Sequence, residues 1–216
     1  MTPQHHPDSG WLMDYACGHL VPAFEIVIAS HLLGCPTCRE DVRVAEHFGA
    51  ELMMNGAGMA CGLTADDILT STLATPALDF WHAGSQVPGM LDLTGLVSSY
   101  LQISLEALRW KGGAGGISIA KLRDEDNDRL WLLRARPGAV LPRHSHSGSE
   151  LTLVLQGAYV VSDRLYGAGA LEDADEDTQH QPLVTTIGEC LCLAATTGPL
   201  KFESWAARLA QRYLGI

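Results

Sequence analysis

Two separate groups of metal-ligand residues constrain this chain more than any other feature of its sequence. The first group is His6, His31, Cys35 and Cys38; three residues separate His31 from Cys35, and two separate the cysteines. Two thiolates and two imidazoles form the ligand set of a closed structural zinc site. The second group lies far downstream and consists of His144, His146, Glu150 and His180. Three imidazoles and a carboxylate suit a site with room for ligand exchange, so the chain is predicted to contain two domains.

Length and composition are those of a soluble globular protein. The chain has 216 residues, of which 47% are hydrophobic and 18% are charged, enough for one large domain or two modest ones. No stretch approaches the roughly 18 apolar residues of a membrane span, and the amino terminus lacks the basic and apolar regions of a secretory signal. Two of the six cysteines are spaced as metal ligands, which indicates a reducing compartment rather than disulfides. We therefore expect a cytoplasmic protein that makes no membrane contact.

Charge is distributed unevenly along the chain. Residues 1–80 contain ten carboxylates but only two cations, Arg39 and Arg43. A nucleic-acid-binding surface needs Lys and Arg to displace counterions from phosphates, so we expect no direct binding of nucleic acid. A basic protein partner fits this charge better. The alternative is that the acidic residues only keep a small helical domain in solution.

The first part of the chain has the hydrophobic period of helices. Apolar residues recur at helical spacing over 11–16, 23–33 and 39–54, with Gly18, Pro22 and Gly34 as breaks. A fourth helix is predicted from about residue 64 to residue 74, where Asp66 and Asp67 would lie in the first turn.

After a glycine-rich stretch at 112–116 the period changes to that of β-strands. Apolar and polar residues alternate in short segments between turns: 117–122, 130–133, 151–155 and 159–165. Many short strands, with a ligand group spread over several of them, predict a small antiparallel barrel or jelly roll. The predicted fold class is therefore α+β multidomain. A zinc-binding helical bundle would occupy 1–80, a linker and domain entry 81–110, and the β domain 111–205, with a tail to 216.

Helix-end signals place the first ligand group between two helices. Gly34 is positioned to end the second helix, and Pro36 suits the first turn of the third. Cys35 and Cys38 would then lie at a helix amino terminus, where the helix dipole and a metal ion both favour thiolate. His6 would complete a tetrahedral site, with His5 as its rival. The alternative, a redox-active cysteine pair, would not require the histidines.

The spacing of these residues resembles the zinc-binding anti-sigma fold. The resemblance rests on His6, the 24-residue gap before His31, the two cysteines, and the pattern Leu12-x-x-Tyr15-Ala16-x-Gly18. In that family a small helical bundle binds an extracytoplasmic-function sigma factor and keeps it from core RNA polymerase. The resemblance implies structural Zn²⁺ at His6, His31, Cys35 and Cys38.

The second ligand group resembles the first cupin motif. The segment 138–157 has a glycine, five residues, His-x-His, three residues, a glutamate, six residues and a glycine. His144 and His146 are two apart on one predicted strand and therefore face the same side. His180 lies where the second cupin motif carries its histidine. The resemblance implies a metal site formed by these histidines and Glu150, and such a ligand set accepts zinc, manganese, iron or nickel.

Cys190 and Cys192 are two residues apart on one predicted strand and face the same side. Their expected Cα separation of roughly 6.6 Å is near the upper limit for a disulfide. We interpret them as two small buried side chains. The alternative is a pair of oxidation-sensitive thiols near the metal.

A zinc anti-sigma pattern followed by a cupin pattern resembles the ChrR family. Members of that family silence a sigma factor and release it under singlet oxygen or related stress. The resemblance therefore implies a regulator, not an enzyme, that occludes the polymerase-binding surfaces of its sigma factor. The alternative is a metal-dependent cupin enzyme, of dioxygenase or isomerase type, with a structural zinc domain. A third interpretation, a DNA-binding zinc protein, lacks a basic recognition helix.

Overall fold

The computed structural model describes residues 3–55, 92–112 and 114–214. The helix predicted at about 64–74 lies outside the described residues. The described residues of Met1–Glu46 and Asp92–Ile216 form one compact unit. Among the described helices, none has the length and hydropathy that a bilayer crossing requires.

Three helices form the amino-terminal region, close to where the hydrophobic period predicts them. They are α1 (Ser9–Ala16), α2 (Pro22–Gly34) and α3 (Pro36–Asn55). Asp8 caps α1, because its side chain accepts a hydrogen bond from the Gly10 amide at 2.8 Å. Helix α2 ends at Gly34 and α3 begins at Pro36, so the predicted break between the two helices is confirmed.

Two further helices flank the β structure. Helix α4 (Leu93–Tyr100) lies inside the stretch 81–110 that the sequence assigned to a linker, and α5 (Trp205–Leu214) follows the last strand. Leu93 and Val97 of α4 are buried, and the helix contacts α2 and the sheet. The domain boundaries drawn from the sequence stay a prediction.

Eleven short strands, all paired antiparallel, make up the rest of the described chain. Their bounds are β1 Lys111–Gly112, β2 Ile117–Glu125, β3 Asp128–Ala135, β4 His144–His146, β5 Glu150–Gln156, β6 Ala158–Val161, β7 Arg164–Gly167, β8 Leu171–Ala174, β9 Leu183–Val184, β10 Cys190–Thr196 and β11 Leu200–Phe202. A six-stranded sheet has the order β1-β2-β3-β10-β5-β8, a three-stranded sheet has the order β7-β6-β9, and β11 pairs with β4. The predicted α+β class, helices followed by an antiparallel β-sandwich, is confirmed.

Strand β10 is the centre of the six-stranded sheet. It pairs with β3 on one side and with β5 on the other, and all seven of its residues are buried. A continuous apolar run of this length is typical of a strand covered on both faces. The side chains of Cys190, Cys192 and Ala194 are therefore in the interior of the protein.

The sequence predicted one strand over 159–165, where the structure has the hairpin β6–β7. Ser162 and Asp163 form its turn with φ values of 46° and 65°. Two consecutive residues with positive φ are typical of a type I′ turn, whose twist matches that of the flanking strands. The polar run Ser162-Asp163-Arg164 separates the apolar residues on its two sides, and Ser and Asp are common turn residues, so the sequence did carry a signal for this turn.

Helix α2 packs directly on the six-stranded sheet, contacting β3, β5 and β10. Phe24, Val27, Ile28 and Leu32 are almost completely buried, as expected of a helix that is hydrophobic on most of its circumference. Its first turn has no side-chain cap of its own. The carboxylate of Asp128 at the start of β3 accepts the Ala23 amide at 2.7 Å, so the sheet supplies the missing cap.

Gly157, which ends the motif of the second ligand group, has φ +75°, and a Cβ there would lie 2.3 Å from the Glu189 carbonyl oxygen. We expect Gly157→Ala to reduce the free energy of unfolding by at least about 2 kcal/mol, because left-handed strain adds to a backbone clash. Gly167→Ala is the matched control, since nothing lies within 4 Å of its added Cβ. Urea unfolding of both variants checks this, and equal midpoints would contradict it.

Candidate metal centres

The first ligand group forms a compact cluster. Donor atoms of His6, His31, Cys35 and Cys38 all lie within 4.8 Å of one another. His6 Nδ1 is 3.2 Å from the Sγ of Cys38 and 3.4 Å from the Sγ of Cys35, and His31 Nε2 is 3.4 Å from the Sγ of Cys38. Tetrahedral zinc with ordinary bond lengths places N and S ligands about 3.6 Å apart. The cluster therefore has the dimensions of a zinc site.

Helix ends bring these four side chains together. His31 lies in the last turn of α2, Cys35 is its C-cap, and Cys38 is in the first turn of α3. The tight break between the helices turns both thiols toward His31, while His6 approaches from the segment before α1. A metal ion here would tie the amino-terminal segment to two helices.

Burial determines the protonation of this cluster. It lowers the pKa of His31 to about 4, so the ring is neutral at pH 7. Burial, together with the adjacent Cys35 thiol, raises the pKa of Cys38 to about 12. Cys38 thus carries a proton near neutral pH, and a metal ion must displace it, because thiolate is the ligand species.

A hydrogen bond from the β-sandwich orients His31. Its Nδ1 lies 3.0 Å from the Gly169 carbonyl oxygen, in the turn before β8. A carbonyl only accepts, so Nδ1 carries the hydrogen and Nε2 turns its lone pair toward Cys38. Such outer partners orient ligating histidines and raise their basicity.

His5, the rival ligand considered from the sequence, is not in the cluster. Its Nε2 lies 3.1 Å from the Leu165 carbonyl oxygen, and its ring centroid is 4.4 Å from that of Tyr166. The geometry therefore favours His6.

The second ligand group is also compact, with donor atoms of His144, His146, Glu150 and His180 all within 4.8 Å of one another. His144 and His146 face inward from β4, and Glu150 is the first residue of β5. His180 forms an isolated β-bridge with His144, and their Nε2 atoms are 3.0 Å apart. All four residues are buried.

The three imidazoles of this cluster are oriented in the same way. Each Nδ1 faces an oxygen acceptor: the Pro142 carbonyl at 2.8 Å from His144, the Asp175 carbonyl at 3.2 Å from His146, and the Glu172 carboxylate at 2.9 Å from His180. With hydrogen on every Nδ1, all three Nε2 atoms turn lone pairs toward the cluster.

Three ring nitrogen atoms of the cluster lack the hydrogen-bond donors that buried lone pairs need. His146 Nε2 is buried and has no hydrogen-bond partner; the nearest carboxylate oxygen, on Glu150, is 3.5 Å away. Two lone pairs from His144 and His180 also face each other, which is unfavourable without a cation between them. The donor set therefore fits a divalent metal ion.

Burial and charge act differently on two of the rings. Burial lowers the pKa of His144, which favours the neutral, metal-binding form. Burial also acts to lower the pKa of His180, but the hydrogen bond and charge of Glu172 outweigh it, and this pKa is raised.

Glu172 and Tyr159 adjoin the second cluster, and the sequence analysis did not identify them. Glu172 is buried on β8; one carboxylate oxygen accepts from His180, and the other accepts the Tyr159 hydroxyl at 2.6 Å. No known spacing links these three residues: Tyr159 is on β6, Glu172 is on β8, and His180 follows β8 in an isolated β-bridge. Glu172 begins an acidic run that extends to Asp177, so its charge did not distinguish it from its exposed neighbours.

A cavity of about 290 Å³ adjoins the second cluster. His144, Glu150 and His180 form part of its wall, and most of the remainder is apolar, including Trp131 and Phe202. An ion held by the cluster would therefore face a space that admits a small apolar molecule.

Cys190 and Cys192 also line this cavity. Both are buried and free, with their Sγ atoms 3.6 Å apart. Contact with Cys190 and burial raise the pKa of Cys192 well above that of an ordinary thiol. Buried thiols held in the protonated form are poor nucleophiles, in keeping with their interpretation as buried side chains.

The two adjacent histidines near the amino terminus allow a matched test of the first cluster. We expect His6→Ala to lose close to one equivalent of zinc, because one of four ligands is removed. His5→Ala should retain that zinc, since its ring lies on Tyr166. Metal content by mass spectrometry after gel filtration checks this, and loss of zinc from His5→Ala alone would contradict the assignment.

Zinc binding to the first cluster should strengthen with pH. The Cys38 thiol is protonated below about pH 12 in the metal-free chain, so its proton is released on binding, whereas His31 is already neutral above about pH 4. Apparent affinity should rise by at least about tenfold per pH unit near neutrality.

Competition with a chelator of known protonation constants measures this slope. Cys17→Ser is the control, because Cys17 is exposed and free, and it should leave the slope unchanged. An affinity independent of pH would contradict the protonated state of Cys38.

Comparison with known proteins supports one family. The family model described as "ChrR Cupin-like domain" matches residues 99–201. The Anti-sigma-E factor ChrR of Cereibacter sphaeroides is 34% identical over 225 aligned residues, covering 100% of both chains.

Solved structures give a consistent result. A chain in the crystal structure of Rhodobacter sphaeroides SigE in complex with the anti-sigma ChrR matches with 34% identity and a TM-score of 0.71, covering 90% of this chain and 100% of that one. An RmlC-like cupin protein from Ralstonia eutropha has 18% identity and a TM-score of 0.44, covering 52% and 83%; that score is too low to support a functional argument. From its identity to ChrR over the full length, this chain belongs to the ChrR family of anti-sigma factors.

Proposed function

We propose that this protein binds a sigma factor and keeps it from core RNA polymerase. One observation carries the proposal: the chain aligns over its full length, at 34% identity, with the Anti-sigma-E factor ChrR. The match to the structure of the SigE–ChrR complex supports it. The partner would be a sigma factor of the extracytoplasmic-function class, and the site of action would be the cytoplasm. Residues 1–80 would make the inhibitory contacts and the cupin-like part would respond to the signal.

Charge and exposed apolar surface support a protein partner for the amino-terminal helices. Residues 1–80 have ten carboxylates and two cations, which suits a sigma factor with basic surfaces for promoter DNA. On α3, Val44, Phe48 and Leu52 are 54%, 61% and 59% exposed. Their spacing of four residues places them on one helix face, and an exposed apolar row of this kind is typical of a protein-binding surface.

The two clusters would hold different ions for different purposes. His6, His31, Cys35 and Cys38 would bind Zn²⁺, whose part would be structural because two thiolates and two imidazoles complete the tetrahedral shell of a structural zinc site. His144, His146, Glu150 and His180 would bind Zn²⁺ or another divalent transition metal. That ion would act as a Lewis acid toward a molecule entering from the cavity. These residue assignments are proposals supported by the cluster geometry.

Release of the sigma factor would start at the cupin-like part. We propose singlet oxygen or a related oxidative stress as the signal, as the family resemblance implies. A shift from almost fully bound to almost fully free requires about 5.5 kcal/mol of differential stabilisation. A change confined to one hydrogen bond would not suffice, so the ligand set or its ion would have to change.

Substitution on the exposed face of α3 tests the proposed contact. We expect Phe48→Glu to weaken sigma-factor binding at least about tenfold, since a charge would replace an aromatic side chain that the complex would bury. Ile187→Glu is the control, because Ile187 is 96% exposed in the cupin-like part. Binding of full-length chains is measured by calorimetry, with SigE as the first probe, followed by extracytoplasmic-function sigma factors from the same genome.

Equal affinities of the two variants would place the contact elsewhere on the chain. If the unmodified chain binds none of these sigma factors, the proposed function is wrong.

A second candidate function is that of a metal-dependent cupin enzyme. The cavity of about 290 Å³ beside His144, Glu150 and His180 favours it, because such an arrangement admits a substrate. Assays of the metal-loaded chain for dioxygenase and isomerase turnover test this candidate. Turnover lost in Glu150→Gln, without sigma-factor binding by the parent chain, would favour the enzyme.

A further inference from the structure

A short segment of the β-sandwich contacts both candidate metal centres. It runs from the turn before β8 into that strand, over residues 169–173, and we call it the bridging segment. We propose that the bridging segment couples the two centres, so that loss of the ion from the histidine–glutamate cluster loosens the histidine–cysteine cluster. This inference rests on the metal sites proposed above and adds a route by which one could influence the other.

On one side, the bridging segment touches the surroundings of two ligands of the histidine–cysteine cluster. The carbonyl of Gly169 accepts a hydrogen bond from Nδ1 of His31 at 3.0 Å. The amide of Leu171 donates to the carbonyl of His5 at 3.1 Å, and the next residue in the chain is His6. Movement of the bridging segment therefore changes the support of both imidazole ligands.

On the other side, the bridging segment orients a ligand of the histidine–glutamate cluster. Glu172 holds His180 through Nδ1 at 2.9 Å and is itself held by the Tyr159 hydroxyl at 2.6 Å. All three side chains are buried, so water does not readily replace these bonds. Glu172 is three residues along the chain from Gly169.

The next residue of β8 faces the opposite side of the sheet, as alternation requires. The Asp173 carboxylate accepts a hydrogen bond from Trp11 Nε1 at 2.8 Å, which ties β8 to α1. Glu172 thus faces one centre, while its neighbour is bonded to the helical region that contains the other.

Stacked rings provide a parallel connection. Tyr159, which bonds to Glu172, has its ring centroid 5.3 Å from that of Tyr166. Tyr166 lies 4.4 Å from His5 in turn. The contacts that lead from Glu172 through the two tyrosines therefore end at His5, next to His6. The hydrogen bond from the Leu171 amide ends at the same residue.

Ion binding at His180 would act on this segment through Glu172. A cation at Nε2 polarises the ring and strengthens the Nδ1–H···carboxylate bond. Without the cation that hydrogen bond is weaker, and the buried strand that carries Glu172 is held less firmly in place. Coupling between two binding sites typically changes affinity by about 5-fold to 150-fold, and it is reciprocal.

Thiol labelling of the full-length, zinc-loaded chain tests the coupling. N-ethylmaleimide reacts with Cys35 and Cys38 only when their metal is released, and peptide mass spectrometry resolves these from the other cysteines. We expect His146→Ala, which lacks a ligand of the remote cluster, to raise the labelling rate at least about threefold. His19→Ala is the control, since His19 is exposed and outside both clusters, and it should leave the rate unchanged.

The same comparison in a chain with two further substitutions shows how much of the rise in labelling passes through the side-chain contacts of this region. Trp11→Phe removes the indole donor and keeps a ring beside Phe24, and Tyr166→Leu removes the stacked ring. In the chain that carries both substitutions, His146→Ala should raise the labelling rate by at most half the factor that it produces in the intact chain. Circular dichroism verifies folding. If Tyr166→Leu prevents folding, Trp11→Phe is used alone in place of the two substitutions. If His146→Ala prevents folding, Glu150→Gln is used in its place.

An unchanged labelling rate in the intact chain would overturn the coupling. A factor that is reduced by less than half in the altered background would assign the coupling to the backbone hydrogen bonds of Gly169 and Leu171. Sigma-factor binding of the unmodified chain is measured in the same preparations. Binding without coupling leaves the anti-sigma function standing and removes only this inference. Coupling without sigma-factor binding leaves this inference standing and removes the anti-sigma function.

Discussion

Burial of α2 against the six-stranded sheet is the interaction on which the rest of the structure depends. The helix places Phe24, Val27, Ile28 and Leu32 against β3, β5 and β10, and each such side chain contributes about 2 kcal/mol when fully buried. A carboxylate from β3 caps its first turn. Because His31 is in the last turn of the same helix, packing against the sheet also fixes where the histidine–cysteine cluster can form.

Both clusters use one physical device. In each, protein oxygen atoms accept hydrogen bonds from Nδ1 of buried imidazoles and leave Nε2 lone pairs toward the centre of the cluster. Gly169 does so for His31, and Pro142, Asp175 and Glu172 do so in the second cluster. His6 differs, since its Nδ1 faces the thiols. The clusters differ in their surroundings as well. Helix ends and thiols form the first, whereas the second opens on an apolar cavity that suits exchange.

Strand β8 is the physical basis of the coupling that we propose. A sensor must transmit a local chemical change to a distant binding surface, and rigid elements with contacts at both ends do this. Glu172 and Asp173 are adjacent on β8 but face opposite sides, one toward a metal ligand and one toward Trp11 of α1. The helical and β parts are consequently joined by polar contacts in addition to the apolar packing of α2.

Short-range patterns in the sequence were enough to predict most local elements and the members of both clusters. Gly34 and Pro36 predicted the break between α2 and α3, and the spacing of His144, His146 and Glu150 predicted the second cluster, because short-range spacing controls which side chains share a face. The folded structure was needed to choose His6 over His5 and to bring Glu172 to His180. His5 is hydrogen-bonded to Leu165, 160 positions away, and Glu172 reaches His180 because the chain between them turns. Neither contact leaves a period or motif in the sequence.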